Sequence, residues 1–195
     1  MSYQRAIDLI LHRLEHELSP SLHYHSIGHT VGVIDAVKEI VQFEKVSASE
    51  LELLLTAAAF HDCGFLTTYL DHEVAGCVIA RETLPEFGFD SKSIARIEEM
   101  IMATKVPQQP TTRLARILCD ADLDYLGGLE YTKISTSLYQ ELSENGFHLS
   151  EDRWLLTQIE FLSAHQFWTD FAMEHRNPAK QEVLNGLLAK QASSI

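Results

Sequence analysis

Apolar residues recur at every third or fourth position along almost the whole chain, which is the spacing that brings side chains to one face of a helix. No segment shows the alternation of apolar and polar residues that a half-buried strand needs, and no internal repeat interrupts the pattern. The sequence therefore predicts an all-α fold of about nine helices in a single domain over residues 1–195. The predicted helices cover residues 3–18, 29–43, 47–60, about 73–84, 90 or 91 to about 103, 113–126, 130–144, 150–174 and 177–190.

The helix predicted over residues 47–60 reads SASELELLLTAAAF and is the most apolar of the set. Ser47 and Glu50 have the spacing of a capping box, in which each side chain satisfies a backbone N–H of the first turn. Because most later positions are apolar, we expect this helix at the centre of the fold. The run stops at His61 and Asp62, and a carboxylate at the end of a buried helix is costly unless it is paired or bound to a metal.

The charge of the chain limits its partners. It has 15 basic and 28 acidic residues, a net charge of −13. Such a surface repels nucleic acid and anionic membranes, so we expect neither a polymeric nucleic acid nor a membrane as partner. A small phosphorylated ligand stays compatible, because a metal ion and a few local cations can dominate one cleft.

Targeting and cysteine patterns agree on the compartment. No segment reaches the ~18 uninterrupted apolar residues of a membrane span, and the N-terminal region lacks the pattern of a signal peptide. The three cysteines are odd in number and far apart, which favours free thiols over disulfides. We therefore expect a cytoplasmic protein.

Imidazoles and carboxylates lie at the ends of several apolar helices or inside them. The residues concerned are His25, His29, His61, Asp62, His72, Asp120 and Asp122. One divalent cation would neutralise such a group, and imidazole with carboxylate suits Mn²⁺, Fe²⁺, Co²⁺, Ni²⁺ or Zn²⁺. Neighbouring helical residues point ~100° apart, so His61 and Asp62 share an ion only if both side chains bend toward it. The alternative explanation of the His61–Asp62 pair needs no metal: a histidine at the C-terminal end of a helix is stabilised by the helix dipole.

The order of these residues carries a resemblance. His29, the segment FHD (60–62), the pair HE (72–73) and the segment ADL (121–123) follow one another along the chain. In this the chain resembles the HD-domain metal-dependent phosphohydrolases, over about residues 25–126. The tail, residues 129–192, is similar to the C-terminal part of small stand-alone predicted phosphohydrolases of that superfamily, and we expect it to complete the helical bundle.

The resemblance implies a bundle of the HD-domain type that holds a divalent ion, with Mn, Co, Ni, Fe, Mg and Zn left open. The implied metal ligands are His29, His61, Asp62 and Asp122. Asp120 lies two positions before Asp122, ~200° around a helix, and stays as an alternative ligand. Two-metal members have further histidines before the last aspartate, where this chain offers only His72, so we expect one tightly held metal.

The resemblance also implies the chemistry. We expect hydrolysis of a phosphoester of a nucleotide or another small phosphorylated metabolite by a metal-activated water. Asp62 and Glu73 are the expected catalytic carboxylates, with Glu73 orienting or deprotonating the water. The candidate substrate contacts are His25, His72, Arg81, Lys105 and Arg113.

Other functions stay open at this point. The first alternative is an iron-dependent HD-type oxygenase, and the second is a non-enzymatic nucleotide-binding regulatory module. The apolar helices near the C-terminus could bury a homodimer interface or only complete the core.

Overall fold

A computed structural model describes residues 2–193 of the chain. These residues form ten α-helices and no strand. The helices are α1 (Tyr3–Glu17), α2 (Ile27–Ile40), α3 (Ala48–Phe60), α4 (His72–Thr83), α5 (Ser91–Ala103), α6 (Arg113–Asp122), α7 (Tyr131–Glu144), α8 (Glu151–Ala164), α9 (Asp170–His175) and α10 (Asn177–Ser193). Short 3₁₀ turns cover Cys63–Leu66, Leu84–Phe87 and Asp124–Gly127. The predicted all-α class is confirmed.

Helix α3 lies at the centre of the bundle, as its composition predicts. Its residues from Leu53 to Phe60 are all buried, and α1, α2, α5 and α6 pack around it. The predicted capping box is present, with Ser47 and Glu50 each accepting a backbone N–H of the other. Burying one large apolar side chain stabilises the fold by about 1.5–3 kcal/mol, so α3 makes a large contribution to the core.

The prediction of one helix over residues 150–174 is wrong, and this raises the count from nine to ten. Helix α8 ends at Ala164, and the backbone of His165 is extended. Helix α9 begins only after Thr169, whose side chain accepts the N–H of Ala172. The N–H groups of Trp168 and Thr169 bond to Asp120 instead of to the preceding turn, so the helix cannot continue through them.

The helix predicted over 113–126 is also shorter, because α6 ends at Asp122 and a 3₁₀ turn follows. Gly127 closes that turn against the backbone of Arg176, where a Cβ atom would lie 2.4 Å from the carbonyl oxygen. The Arg176 side chain bonds to Asp124 at 2.8 Å and to Glu39 on α2 at 2.7 Å. These contacts fix the C-terminal helices against the end of α6.

Within residues 2–193, no helix combines the length and the apolar character that crossing a membrane requires. A hydrophobic cluster takes residues from all ten of these helices, α8 to α10 included. The single domain over residues 1–195 stays a prediction.

Candidate metal centre

Two histidines and two aspartates converge at the point where α2, α3 and α6 meet. His29 Nε2 lies 3.3 Å from His61 Nε2. Asp122 Oδ1 lies 3.2 Å from His29 Nε2 and 3.5 Å from His61 Nε2. Asp62 Oδ2 lies 3.4 Å and 3.2 Å from the same two nitrogens. All four residues implied by the resemblance are therefore brought together.

The end of α3 explains how adjacent residues reach one point. His61 still has helical backbone angles, but Asp62 has left the helix, with φ −105° and ψ 4°. The ~100° offset of neighbouring helical residues therefore does not hold for this pair. Both side chains reach His29 because the helix stops between them.

The hydrogen bonding and the spacing of the donor atoms are those expected for ligands of a divalent cation. His61 Nδ1 donates to the carbonyl oxygen of Ala58 at 2.8 Å, so the lone pair of the neutral ring is on Nε2, which faces the other donors. Asp62 Oδ2 is buried and accepts no hydrogen bond. The five spacings given above, 3.2 to 3.5 Å, are close to the ~3.0–3.4 Å expected between neighbouring ligands that each lie ~2.1 Å from one ion, and His29, His61 and Asp122 all have donor atoms within 4.8 Å of one another. Imidazole and carboxylate are the ligands of Mn, Fe, Co, Ni and Zn sites.

The charges of the centre lead to the same conclusion. Burial opposes the charged forms of both His61 and Asp62, but their attraction outweighs it. The pKa of His61 is raised well above its ordinary value, and the pKa of Asp62 is held well below its own. A divalent cation between the two would supply the positive charge that a proton on the histidine otherwise supplies.

His72 and Glu73 lie at the start of α4, beside the donor set. His72 Nε2 lies 3.4 Å from Asp62 Oδ1 and 3.6 Å from Glu73 Oε1, so the ring is between the two carboxylates. Gly64 allows this approach, because a Cβ atom there would lie 1.8 Å from the carbonyl oxygen of His72. Glu73 is buried and lines the cavity described next, where it can meet a bound water.

A cavity of about 510 Å³ opens beside the four donors. Asp62 and Asp122 contribute to its lining, while α7 and α8 supply an apolar wall that includes Leu138, Leu142, Trp154 and Phe161. Among the described residues around it, Lys105 is the one lysine or arginine. Its ammonium lies 2.5 Å from Asp71 Oδ1, so its charge is already paired.

His25 lines the same cavity and is held from behind by Glu141 of α7. Glu141 is fully buried and accepts hydrogen bonds from the backbone N–H groups of Tyr24 (2.8 Å) and His25 (3.0 Å). It also accepts from His25 Nδ1 and from the hydroxyl of Tyr69, the latter at 3.2 Å. With Nδ1 occupied in this way, Nε2 is the nitrogen that His25 has left for a substrate.

Asp120 is not among the converging donors. It accepts hydrogen bonds from the N–H groups of Trp168 and Thr169 and from the hydroxyl of Thr169, at 2.7 to 3.1 Å. Burial raises the pKa of Asp120 to about 6, although these hydrogen bonds act in the opposite direction. The two aspartates of α6 thus have different partners, the Trp168–Thr169 segment for Asp120 and the donor set for Asp122, because residues two apart on a helix point ~200° away from each other.

Two of the candidate cations lie away from the cavity. Arg81 is an exposed residue of α4 whose guanidinium lies 2.7 Å from Glu98 Oε1, outside the lining. Arg113, at the start of α6, bonds to Glu50 at 3.0 Å and also lies outside it. His72, His25 and Lys105 do line the cavity.

Three polar residues that hold other parts of the structure in place are missing from the sequence-based candidates. Glu141 lies seven residues after Ile134, and Lys180 lies four before Leu184, so apolar spacing alone would place both on buried faces. A charged residue at such a position signals a buried partner. Gln108, which donates to Asp122 Oδ2 at 3.3 Å, gives no comparable signal, since it lies in an irregular loop.

The fold and the donor set together define a helical bundle with a site for a divalent cation. A family model described as HD domain matches residues 26–124, just over half of the chain. The chain belongs to the HD domain family, as its motifs predict, and the family together with the donor set supports a metal-dependent hydrolase.

A solved structure shares the fold over nearly the full length. It is that of a predicted HD superfamily hydrolase from an uncultured Thermotogales bacterium, with a TM-score of 0.62 and 22% sequence identity. The match covers 98% of this chain and 92% of that chain, so the C-terminal helices belong to the shared fold. The comparison with curated proteins found no match.

Proposed function

We propose that this protein is a metal-dependent phosphohydrolase that acts on a nucleotide or another small phosphorylated metabolite. The observation that carries the proposal is the convergence of His29, His61, Asp62 and Asp122 beside a 510 Å³ cavity, which the two aspartates line. A cavity of this size accommodates a small metabolite. A divalent cation held by these four residues would also take a water or a phosphoryl oxygen as a ligand, which is what metal-assisted hydrolysis needs.

The residues around the cavity have separate parts in such a reaction. A divalent cation held by the four donors would acidify a water and offset charge on the phosphoryl oxygens. Glu73 is the carboxylate placed to orient that water or take its proton, since it lines the cavity without being one of the four donors. His25 and His72 offer ring nitrogens toward the phosphoryl group or the leaving group.

The charge of the cavity supports a substrate with a single phosphoryl group. A nucleoside triphosphate carries about four negative charges, and its protein sites normally supply several cations. This lining has one lysine, already paired with Asp71, and its carboxylates include Asp62, Glu73 and Asp122. The apolar wall from α7 and α8 instead suits a base or another apolar group attached to one phosphate.

The test is hydrolysis by protein that is stripped of metal and reloaded separately with Mn²⁺, Co²⁺, Ni²⁺, Fe²⁺, Mg²⁺ or Zn²⁺. The substrates are nucleoside mono-, di- and triphosphates and a generic phosphodiester, with phosphate and pyrophosphate release as readouts. We expect the monophosphates to react best and activity to vanish in Asp62→Ala and Asp122→Ala. Asp35→Ala, which removes an exposed carboxylate of α2, is the matched control.

Inactivity with every metal would contradict the proposal. If that inactive protein still bound a nucleotide, the result would favour the regulatory module. If iron-loaded protein instead consumed oxygen, the result would favour the oxygenase.

A further inference from the structure

Unpaired polar atoms concentrate at a second, smaller cavity. In residues 2–193, six buried side-chain nitrogen or oxygen atoms have no hydrogen-bond partner. Three of them are accounted for: His23 Nε2 lies 2.9 Å from Glu144, Glu98 Oε1 lies 2.7 Å from Arg81, and Asp62 Oδ2 belongs to the metal centre. The other three are Gln108 Oε1, His165 Nε2 and Trp168 Nε1, and all three residues line one cavity of about 170 Å³.

This small cavity lies next to the metal centre, between the loop before α6 and the break between α8 and α9. Val106, Leu123 and Phe161 line both cavities and thus form the wall between them. Gln108 connects the small cavity to the metal centre directly, because its amide nitrogen donates to Asp122 Oδ2. Apart from its three unpaired atoms, much of the lining is apolar.

The hydrogen-bonding role of each unpaired atom follows from its neighbours. Gln108 Nε2 donates to Cys119 O and to Asp122 Oδ2, both at 3.3 Å, which leaves Oε1 as an acceptor. His165 Nδ1 lies 3.4 Å from the ammonium of Lys180, which only donates, so the hydrogen of the neutral ring is on Nε2. Burial and the nearby Lys180 lower the pKa of His165 to about 4, so the ring is neutral at pH 7. Trp168 Nε1 is a donor only.

The backbone around these atoms is held in place from both sides. Asp120 binds the N–H groups of Trp168 and Thr169, and Lys180, itself 2% exposed, donates to the carbonyl oxygen of His165 at 2.6 Å. The segment that carries His165 and Trp168 is therefore fixed, and a small movement of its backbone does not bring their ring nitrogens to other partners. Buried polar groups without partners cost stability, so a fold that keeps three of them together offers a place where a ligand or ordered water pairs them.

We propose that this cavity binds an uncharged nitrogen heterocycle of the nucleobase type. Two N–H donors and one carbonyl acceptor match the edge of a base, which presents carbonyl or ring-nitrogen acceptors beside N–H donors. The three contacting groups carry no charge, and the apolar lining suits a flat ring. The base belongs either to the substrate, a case that rests on the proposed function, or to a free nucleoside that binds beside the metal centre.

The two tryptophans of the chain allow a direct test, because Trp154 lines the large cavity and Trp168 the small one. The ¹H–¹⁵N spectrum of metal-free, full-length protein has two indole signals, which Trp154→Phe and Trp168→Phe assign. We expect adenosine, guanosine, cytidine or uridine to shift the Trp168 signal in a saturable way, and ribose to leave it unchanged. If, in metal-loaded protein, a nucleoside monophosphate binds more tightly than its nucleoside and shifts both indole signals, that result assigns the base to the substrate. If the monophosphate and the nucleoside bind with equal affinity, the ligand is a free nucleoside.

Trp168→Phe separates a binding role from a packing role. The variant keeps an aromatic ring but loses the N–H together with part of the indole, so a binding role predicts that nucleoside affinity falls by about tenfold or more. A packing role alone would lower the Tm of the ligand-free variant and leave nucleoside affinity unchanged. Tyr139→Phe is the matched control: its hydroxyl donates to Leu149 O at 2.7 Å, so Tm should fall while nucleoside affinity stays the same.

A Trp168 signal that no nucleoside moves would overturn the proposal, and so would a folded Trp168→Phe protein that binds nucleosides as tightly as the wild type. Either result would indicate that ordered water alone fills the cavity and pairs the three atoms. The binding assay needs neither metal nor turnover. An inactive enzyme that still binds nucleosides would therefore contradict the proposed hydrolysis and leave this site standing.

Discussion

Replacing Asp120 by alanine tests whether the two aspartates of α6 have different roles, Asp120 in stabilising the fold and Asp122 in binding the metal. The change removes the acceptor of three buried donors: the N–H of Trp168, the N–H of Thr169 and the hydroxyl of Thr169. A buried donor left without a partner costs about 1–3 kcal/mol. Water that enters the space of the lost side chain recovers part of this, so we expect a loss of about 3–5 kcal/mol. That is a large part of the ~5–15 kcal/mol by which domains are normally stable.

The assay is urea unfolding in EDTA at pH 7.5, where Asp120, with a pKa of about 6, is ionised. With a slope of about 2 kcal/mol/M, the midpoint should fall by about 2 M. Asp122→Ala is the matched variant, two residues away on the same helix. It should lose Mn²⁺ binding, measured by calorimetry, while Asp120→Ala, under conditions where it is folded, should keep it.

Two results would refute this reasoning. One is an Asp120→Ala protein that unfolds at the same urea concentration as the wild type. The other is an Asp120→Ala protein that is folded but binds Mn²⁺ no better than Asp122→Ala, which would make Asp120 a metal ligand after all.

Three further predictions follow from the same contacts. Glu141→Gln should lower turnover by roughly 10–100-fold, because it loosens the hold on His25, while Glu144→Gln, one turn further at an exposed position, should not. Gly64→Ala should destabilise the fold by about 3 kcal/mol or more, because its Cβ would meet the backbone of His72, whereas Gly186→Ala, in an open part of α10, should stabilise it by about 0.5–1 kcal/mol. The three cysteines are buried, which raises the pKa of each thiol, so native protein should react with iodoacetamide at pH 8 far more slowly than unfolded protein.

Each of these predictions has a result that contradicts it. Steady-state kinetics in which Glu141→Gln and Glu144→Gln behave alike would remove the positioning role of Glu141. Equal thermal stability of the two glycine variants would mean that Gly64 does not lie against α4. Rapid alkylation of native protein would show that at least one thiol is accessible.

The sequence alone predicted more of the metal centre than of the cavity around it. His29, His61, Asp62 and Asp122 were all assigned from motifs, because their order along the chain is a linear property. The geometry that lets His61 and Asp62 share a site was not predictable, since it depends on α3 ending between them. Arg81 was proposed by residue type and region, and only the structure shows it paired with Glu98 outside the cavity.

The features that could not be predicted from the sequence depend on contacts between residues that are far apart in the chain. Glu141 meets the backbone of Tyr24 across 117 positions, and Asp120 meets Trp168 across 48. The local pattern places Glu141 and Asp120 on buried faces but does not identify their partners, and the second contact breaks the helix that apolar spacing predicts over 150–174.

The sequence by itself determined the all-α class, the central position of α3 and the acidic charge, and it supplied His29, His61, Asp62 and Asp122 as candidate metal ligands, with Asp120 as an alternative. These follow from helical periodicity, composition and motif order, which are all local. The tertiary structure alone decided which of Asp120 and Asp122 joins the donors, how Glu141 holds His25, and where three polar atoms stay unpaired. The physical reason is that a buried polar group is satisfied by whatever the fold brings to it, and that partner is set by packing rather than by neighbours in the chain.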